Sequence, residues 1–170
     1  MIELRKTLEL VHRTLDEAKI AHALIGGLAL GEHGVHRATS DIDLLIDGDQ
    51  RTIVITILKN KGFNLRFESD EVLQFDGVGY LDILLANRPL SRQMLASARN
   101  SSNLNVTVVG AEDIIGLKIQ AYKNDSTREL QDKADIQAIA RNNPGLDFNR
   151  IKEFADLFDE WSAVEKLLKS

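Results

Sequence analysis

The sequence predicts an α+β protein, with a short mixed β-sheet and flanking helices followed by a helical carboxyl-terminal part. Three observations predict this class. Up to Gly110, stretches with helical spacing of apolar residues alternate with short apolar or β-branched runs. After Gly110 only helical patterns occur. Glycine, proline and Asp-Gly turn signals separate the elements. We therefore expect a core over residues 1–110 and a helical region over 111–170 packed on that core.

The predicted elements of the core follow from local spacing. Leu4, Leu8, Val11 and Leu15 recur at helical intervals, which predicts an opening helix from about Ile2 to Ala18. Next come a strand "AHALI" that ends at a glycine pair, a short helix "LALGEHGVH", a strand "DIDLLID" and a helix "DQRTIVITILKNKGF". The remaining elements are three strands in "NLRFES", "EVLQFDG" and "GYLDILLA", a helix that begins near Pro89, and a β-branched strand "LNVTVVG".

The carboxyl-terminal region reads as four helices. These are "AEDIIGLKIQAYK", "STRELQDKADIQAIAR", "DFNRIKEFADLF" and "EWSAVEKLLK". Ser126 and Glu129 have the spacing of a capping box, so we expect them to begin the second of these helices.

Composition limits the class of function. The chain has 170 residues, a net charge of −5 and no cysteine. These values exclude a disulfide framework, a thiolate nucleophile and a cysteine zinc site, and they disfavour broad electrostatic binding to nucleic acid. The amino terminus carries acids throughout and has no secretory pattern, and no segment is long and apolar enough to span a membrane. We expect a cytoplasmic protein.

Three aspartates occupy strand positions where a buried strand would carry apolar residues. Asp41 and Asp43 in "SDIDLLI" are two apart, so both side chains face one side of the strand. Two carboxylates roughly 5–7 Å apart repel by about 2–3 kcal/mol at an effective dielectric of about 20, and a divalent cation removes that repulsion. Asp82 in "GYLDILLA" would join them if the two strands are neighbours. The alternative for an isolated Asp-x-Asp is a helix cap or a solvated strand end.

Polar and glycine residues precede this pair. Gly26 and Gly27 follow a strand, where backbone N–H groups can approach a phosphate closely, although a tight turn explains a glycine pair equally well. The candidates for further phosphate donors are Arg37, Thr39 and Ser40, and a solvated polar loop is the alternative for each.

With these residues in view, "GGLALGEHGVHRATSDIDLLI" and the later Asp82 resemble the DNA polymerase β-like nucleotidyltransferase superfamily. Its signature is Gly-Gly or Gly-Ser, a short helix, Asp-x-Asp and a third acid on a following strand. The segment from about Gly110 to Ile139 is similar to a small bacterial branch that includes the AbiEii-type toxins. The matching positions there are Lys118, Arg128, Asp132, Lys133 and Asp135, with Asp-Lys where the branch has Lys-Asp.

The resemblance implies a fold, an activity and a site. The fold is the nucleotidyltransferase fold, and the activity is Mg²⁺-dependent transfer of a nucleoside monophosphate from ATP or another NTP. Asp41 and Asp43 would hold two Mg²⁺ ions on the triphosphate, and Asp82 would bind the catalytic ion and help to deprotonate the acceptor hydroxyl. Gly26 and Gly27 would cradle the β- and γ-phosphates. Lys118 would approach the triphosphate or the base.

Purely structural alternatives, with no role in catalysis or binding, remain for the helical residues and the histidines. Lys118 could be a solvated helix residue, and Asp132 and Asp135 could only pair with Lys118 or Arg128. The histidines show no metal-ligand spacing and are expected on the surface or in loops; they are His12, His22, His33 and His36.

Three classes of function compete. The leading hypothesis is a nucleotidyltransferase whose acceptor is a small molecule, a tRNA end or a protein side chain. The acidic charge and the 5% aromatic content slightly disfavour RNA. The others are a non-catalytic nucleotide-binding or regulatory module and an interaction domain with surface acids. An antitoxin, a partner subunit that completes the acceptor site, and a homodimer formed through the terminal helices remain open as partners.

Overall fold

A computed structural model describes residues 2–170 and divides into two compact units. The first unit runs to Leu28 and resumes from Ala38 to Val109. The second unit comprises Ala29–Arg37 and Gly110–Ser170. The division therefore places a short segment before the Asp-x-Asp sequence with the carboxyl-terminal helices.

The elements alternate in the first unit and are all helical in the second. In chain order they are α1 (Ile2–Glu17), β1 (His22–Ile25), α2 (Gly26–Glu32), β2 (Ile42–Asp47), α3 (Arg51–Asn60), β3 (Asn64–Glu68), β4 (Val72–Asp76), β5 (Leu81–Ala86), α4 (Pro89–Ser97), β6 (Arg99–Asn100), β7 (Thr107–Val108), α5 (Ala111–Asn124), α6 (Glu129–Asn142), α7 (Phe148–Asp156) and α8 (Trp161–Leu168). Short 3₁₀ helices precede α3 and α6. The predicted α+β class is confirmed.

Within residues 2–170, seven strands form one mixed sheet in the order β3-β4-β5-β2-β1-β7-β6. β1 and β2 are antiparallel, whereas β2 and β5 are parallel. Side chains alternate between the faces of each strand, so Ile42 and Leu44 point to one side and are fully buried. Asp43 points to the other side and is only partly buried. The strand that carries Asp43 is thus central, and the face with Ile42 and Leu44 lies in the core.

A β-bulge interrupts the outermost strand, β3. Leu65 lies opposite Phe75 of β4, but Phe67 lies opposite Gln74, one position early. Arg66 between them is the extra residue, and its Nε lies 3.0 Å from the Asp76 carboxylate. A bulge of this kind moves the following side chains to the opposite face of the sheet. Phe67 is accordingly 51% exposed.

Most predicted elements are present, and three details of the prediction are wrong. The short helix begins at Gly26, so the glycine pair forms its first turn and does not precede it. The strand predicted over "LNVTVVG" is reduced to Thr107–Val108, which pairs with a strand at Arg99–Asn100 that the prediction lacks. The predicted capping box is not formed: the Asp125 carboxylate accepts the Thr127 N–H and begins the helical segment.

The second unit is held together by apolar helix contacts. Ile114, Ile115 and Ile119 on α5 are at most 1% exposed. Gly116 on the same helix packs against the Phe154 ring of α7, where an added Cβ would come within 2.4 Å of the ring. A glycine therefore lets these two helices approach closely.

Among residues 2–170, no helix combines the length and apolar character needed to cross a membrane.

Candidate active site

The central strands bring two of the predicted aspartates directly together. In the parallel β2–β5 pair, Asp43 lies opposite Asp82. In the antiparallel β1–β2 pair, Asp43 also lies opposite Ile25, the residue before Gly26. Residues opposite each other in a ladder share a face of the sheet. The predicted adjacency of the two carboxylate strands is confirmed, and Gly26 lies beside them.

Gly26 has little room for a side chain. Its φ of +63° lies in the left-handed region, and an added Cβ would stand 2.0 Å from Asp43 Oδ2. At Gly27 an added Cβ would stand 2.7 Å from the Thr39 Cβ. Both glycines therefore keep backbone close to residues predicted for the site. The structure brings Gly26 to Asp43 and Gly27 to Thr39.

Asp41 lies immediately before β2 in a polar turn, so the prediction that it occupies a strand position beside Asp43 is wrong. The Ser40 hydroxyl donates a hydrogen bond to the Asp41 carboxylate. The Thr39 hydroxyl donates to the backbone carbonyl of Asp41 over 3.3 Å. These two predicted phosphate donors thus already contact the first aspartate, and they hold the chain where it enters the strand.

The Asp82 carboxyl group is electrostatically perturbed. Its pKa is raised, chiefly by burial and further by the nearby Asp41 charge. Gln74 on the neighbouring strand acts in the opposite direction, because its amide donates a 3.2 Å hydrogen bond to Asp82 Oδ2. Sequence reasoning did not single out Gln74. The sequence pattern does not show which residue of β4 lies opposite Asp82, and the strand register identifies that residue as Gln74.

The donor set suits a hard divalent cation. Carboxylate oxygens are the ligands that Mg²⁺ prefers, and a cation would offset the repulsion between neighbouring carboxylates. The residues that could hold it are Asp41, Asp43 and Asp82. However, over residues 2–170 no three His, Cys, Asp or Glu side chains are already arranged to hold a metal ion. The three-aspartate metal site therefore stays a prediction.

Two predicted nucleotide-binding residues, Arg37 and Lys118, belong to the second unit. Lys118 is 5% exposed, and its Nζ lies 2.7 Å from Asp132 and 2.6 Å from Asp135. Arg37 Nη1 lies 3.7 Å from Asp135, and Arg128 Nε lies 3.2 Å from Asp132. The solvated alternative for Lys118 is wrong, and the pairing alternative for the two aspartates is confirmed. Contact of Lys118 with a triphosphate stays a prediction.

One histidine is not where the sequence placed it. His22 on β1 is 7% exposed, and its Nε2 lies 2.8 Å from His12 Nδ1. Its Nδ1 lies 2.7 Å from the Ile20 carbonyl. Burial is the main cause of its lowered pKa. The expectation of a surface or loop position is therefore wrong for His22.

Comparison with known proteins identifies the fold. No protein-family model and no curated protein matches the sequence. The structure is similar to that of the antibiotic-resistance factor ANT(2'')-Ia, with a TM-score of 0.67 and 19% identity over 94% of each chain. A nucleotidyltransferase-like protein from Paracoccidioides brasiliensis has a TM-score of 0.62 and 21% identity, over 99% of this chain and 93% of that one. The lincosamide adenylyltransferase LnuA, in its lincomycin-bound structure, has a TM-score of 0.50 and 18% identity, over 68% and 83%.

These likenesses define the class of fold. At such identities they show that this chain has a nucleotidyltransferase fold, as the resemblance implied. The narrower resemblance to the AbiEii-type branch stays a prediction.

Proposed function

We propose that this protein is a Mg²⁺-dependent nucleotidyltransferase. It transfers a nucleoside monophosphate from an NTP to an acceptor hydroxyl and releases pyrophosphate. The observation that carries the proposal is the register of the sheet, which places Asp43 opposite Asp82 and beside Gly26. The nucleotidyltransferase fold supports the same conclusion.

The residues of the first unit have separate roles in this proposal. Asp41, Asp43 and Asp82 would hold Mg²⁺, which neutralises the triphosphate and stabilises the entering and leaving oxygens. The backbone N–H groups at Gly26 and Gly27 would receive the β- and γ-phosphates, as the resemblance implies. The Thr39 and Ser40 hydroxyls would donate to the phosphates. Arg37 is a further candidate phosphate donor because it precedes the aspartates in the sequence, and Lys118 is added by the resemblance alone.

Asp82 is the best placed proton acceptor. It lies opposite Asp43 in the central ladder, and the Gln74 amide donates a hydrogen bond that orients its carboxylate. The acceptor hydroxyl would give its proton to Asp82, and its oxygen would attack the α-phosphorus. The bond from that phosphorus to the bridging oxygen of pyrophosphate breaks, and pyrophosphate leaves with the electron pair. The nucleoside monophosphate stays on the acceptor.

A small molecule is the acceptor class that we favour. The net charge of −5 and the 5% aromatic content give little basis for RNA binding. Two similar structures contain antibiotic ligands: ANT(2'')-Ia is bound to adenylyl-2''-tobramycin and LnuA to lincomycin. Tobramycin and lincomycin are therefore the first acceptors to test, with pyrophosphate release as the measurement.

A non-catalytic nucleotide-binding module is the second candidate. The observation that favours it is the lack, over residues 2–170, of three side chains already arranged around a metal position. Such a module would bind an NTP and would release no pyrophosphate with any acceptor. Retention of all three aspartates is the argument against it.

Calorimetric titration with the four NTPs, each with and without Mg²⁺, tests the nucleotide site. We expect Mg²⁺-dependent binding that Asp43→Asn abolishes without a loss of folding, because the substitution removes charge and keeps shape. Asp47→Asn is the matched control on the same strand, where the carboxylate is paired with Arg92 at 3.2 Å. Equal NTP affinity in Asp43→Asn and wild type would remove Asp43 from the mechanism. No binding of any NTP by wild type would overturn the proposal.

A further inference from the structure

An exposed aromatic side chain lies in the same row of the sheet as the candidate carboxylates. Across the four neighbouring strands β2, β5, β4 and β3, Asp43 lies opposite Asp82, Asp82 opposite Gln74, and Gln74 opposite Phe67. Residues directly opposite one another share a face. Phe67, Gln74 and Asp82 therefore form one continuous strip, which we name the acceptor strip.

The β-bulge is the reason that Phe67 belongs to this strip. In a regular strand with Arg66 paired opposite Gln74, simple alternation would turn Phe67 to the same face as Leu65, which lies opposite the buried Phe75. The bulge moves Phe67 to the open face, where its side chain is 51% exposed.

Gln74 connects the aromatic ring to the carboxylate. Its Nε2 donates a 3.2 Å hydrogen bond to Asp82 Oδ2. An amide group carries two N–H donors and an accepting oxygen, so Gln74 can also bind a hydroxyl group of a bound molecule while it orients Asp82. The strip thus combines a proton acceptor, a hydrogen-bonding amide and an apolar ring, in that order.

The spacing of the strip sets the size of its ligand. Neighbouring strands are about 4.8 Å apart, so Phe67 and Asp82 stand on backbones separated by roughly 10 Å. A hydroxyl group at Asp82 would therefore leave room for one six-membered ring before the Phe67 ring is reached. Aromatic side chains pack against the C–H faces of such rings, while amide groups bind their hydroxyls.

We propose that the acceptor strip binds a cyclic polyhydroxylated acceptor, with Phe67 packed on its ring and Gln74 on a hydroxyl next to the one that reacts. This inference rests on the proposed function for the identity of the reacting hydroxyl. Phe67 sets specificity for the acceptor and makes no contribution to NTP binding. Gln74 is an acceptor-binding residue that also positions Asp82.

Saturation-transfer NMR with small probes tests the strip without a known acceptor. The probes are methyl α-glucoside as the cyclic polyhydroxylated compound, glycerol as its acyclic counterpart and uridine as a nucleoside. We expect saturation of methyl α-glucoside by wild type, and roughly a fivefold loss of affinity in Phe67→Ala. Phe67→Tyr should retain binding. Phe148→Ala is the matched control, since that phenylalanine is 37% exposed on α7.

Gln74→Met distinguishes the hydrogen bonds of the Gln74 amide from the packing of its side chain, because methionine keeps the length of the side chain and removes its donors. We expect this variant also to bind methyl α-glucoside more weakly. The Gln74 side-chain amide resonances should shift in Asp82→Asn, which reports the hydrogen bond without any ligand or turnover.

Each outcome separates the strip from the proposed function. Wild type that binds Mg²⁺-ATP, with Phe67→Ala binding both Mg²⁺-ATP and methyl α-glucoside as well as wild type does, would overturn the strip and leave the nucleotidyltransferase proposal in place. Failure of methyl α-glucoside to be saturated, or saturation of uridine alone, would overturn it too. Loss of methyl α-glucoside binding in Phe67→Ala, together with no ATP binding by wild type, would support the strip and refute the proposed function.

Discussion

Replacement of Gly26 by alanine tests how tightly the glycine pair and the central aspartate are joined. The substitution adds one methyl group at a residue whose φ is +63°. That methyl carbon would lie 2.0 Å from Asp43 Oδ2 and 2.7 Å from the Asp43 Cβ. Rotation of the Asp43 side chain relieves the first contact only, since the Cβ position is fixed by the strand. Relief of the second contact requires the backbone of β1 and β2 to separate.

The expected cost can be worked out from three contributions. A left-handed backbone at a residue other than glycine costs about 1–2 kcal/mol. The methyl-to-Cβ contact falls roughly 0.7 Å short of van der Waals distance, and overpacking of this kind costs about 1–3 kcal/mol. The reduced entropy of the unfolded alanine chain returns about 0.4–1 kcal/mol. We expect the free energy of unfolding to fall by about 3 kcal/mol, with the summed contributions spanning about 1–5 kcal/mol.

Urea unfolding and calorimetric titration with Mg²⁺-ATP measure the two consequences. We expect Gly26→Ala to unfold at lower urea concentration and to lose Mg²⁺-ATP affinity. Gly31→Ala in the same helix is the control, because its added Cβ would meet only a His36 nitrogen, at 3.9 Å. A loss below about 1 kcal/mol in Gly26→Ala, together with wild-type affinity for Mg²⁺-ATP, would refute the close-packed arrangement of Gly26 and Asp43.

Two further predictions concern buried charge. Lys118→Met leaves two buried carboxylates without their shared cation, so we expect a loss of about 3–5 kcal/mol in urea unfolding. Lys123→Met removes only an exposed partner of Glu160 and should cost far less, and equal losses in both variants would contradict the buried cluster. Burial lowers the pKa of His22 below 6.5, so His22 is protonated more readily in the unfolded chain than in the folded protein. The free energy of unfolding should therefore fall as the pH drops below 6.5, and less so in His22→Gln; parallel profiles of the two proteins would exclude this role.

Local spacing was sufficient to predict much of the candidate site. The apolar alternation of "DIDLLID" and "GYLDILLA" placed Asp43 and Asp82 on strands, and both strands are present. That the two carboxylates face each other depends on pairing between strands far apart in the sequence. The prediction assumed this pairing, and the parallel register confirms it. The metal site itself needs side-chain positions that the sequence pattern does not contain.

Most features that the sequence did not predict depend on distant partners. The bulge at Arg66 follows from how β3 meets β4, whereas the pattern "NLRFES" looks like regular alternation. His22 is buried where His12 of α1 contacts its ring and the Thr107 hydroxyl donates to its backbone carbonyl. The cap at Asp125 is a local feature. The spacing of Ser126 and Glu129 also fits a capping box, so the sequence alone allows two starting points for this helical segment.

The pairing of Asp43 with Asp82 also protects the alignment of the sheet. If β5 shifted by one residue along β2, Asp82 would turn into the space that Ile83 fills, where exposure is 0%. An unpaired carboxyl group in that apolar space would cost several kcal/mol. Misaligned versions of the central ladder are therefore excluded by the same charged residue that the proposed chemistry requires. Selection for activity at this position would at the same time maintain correct assembly of the strands.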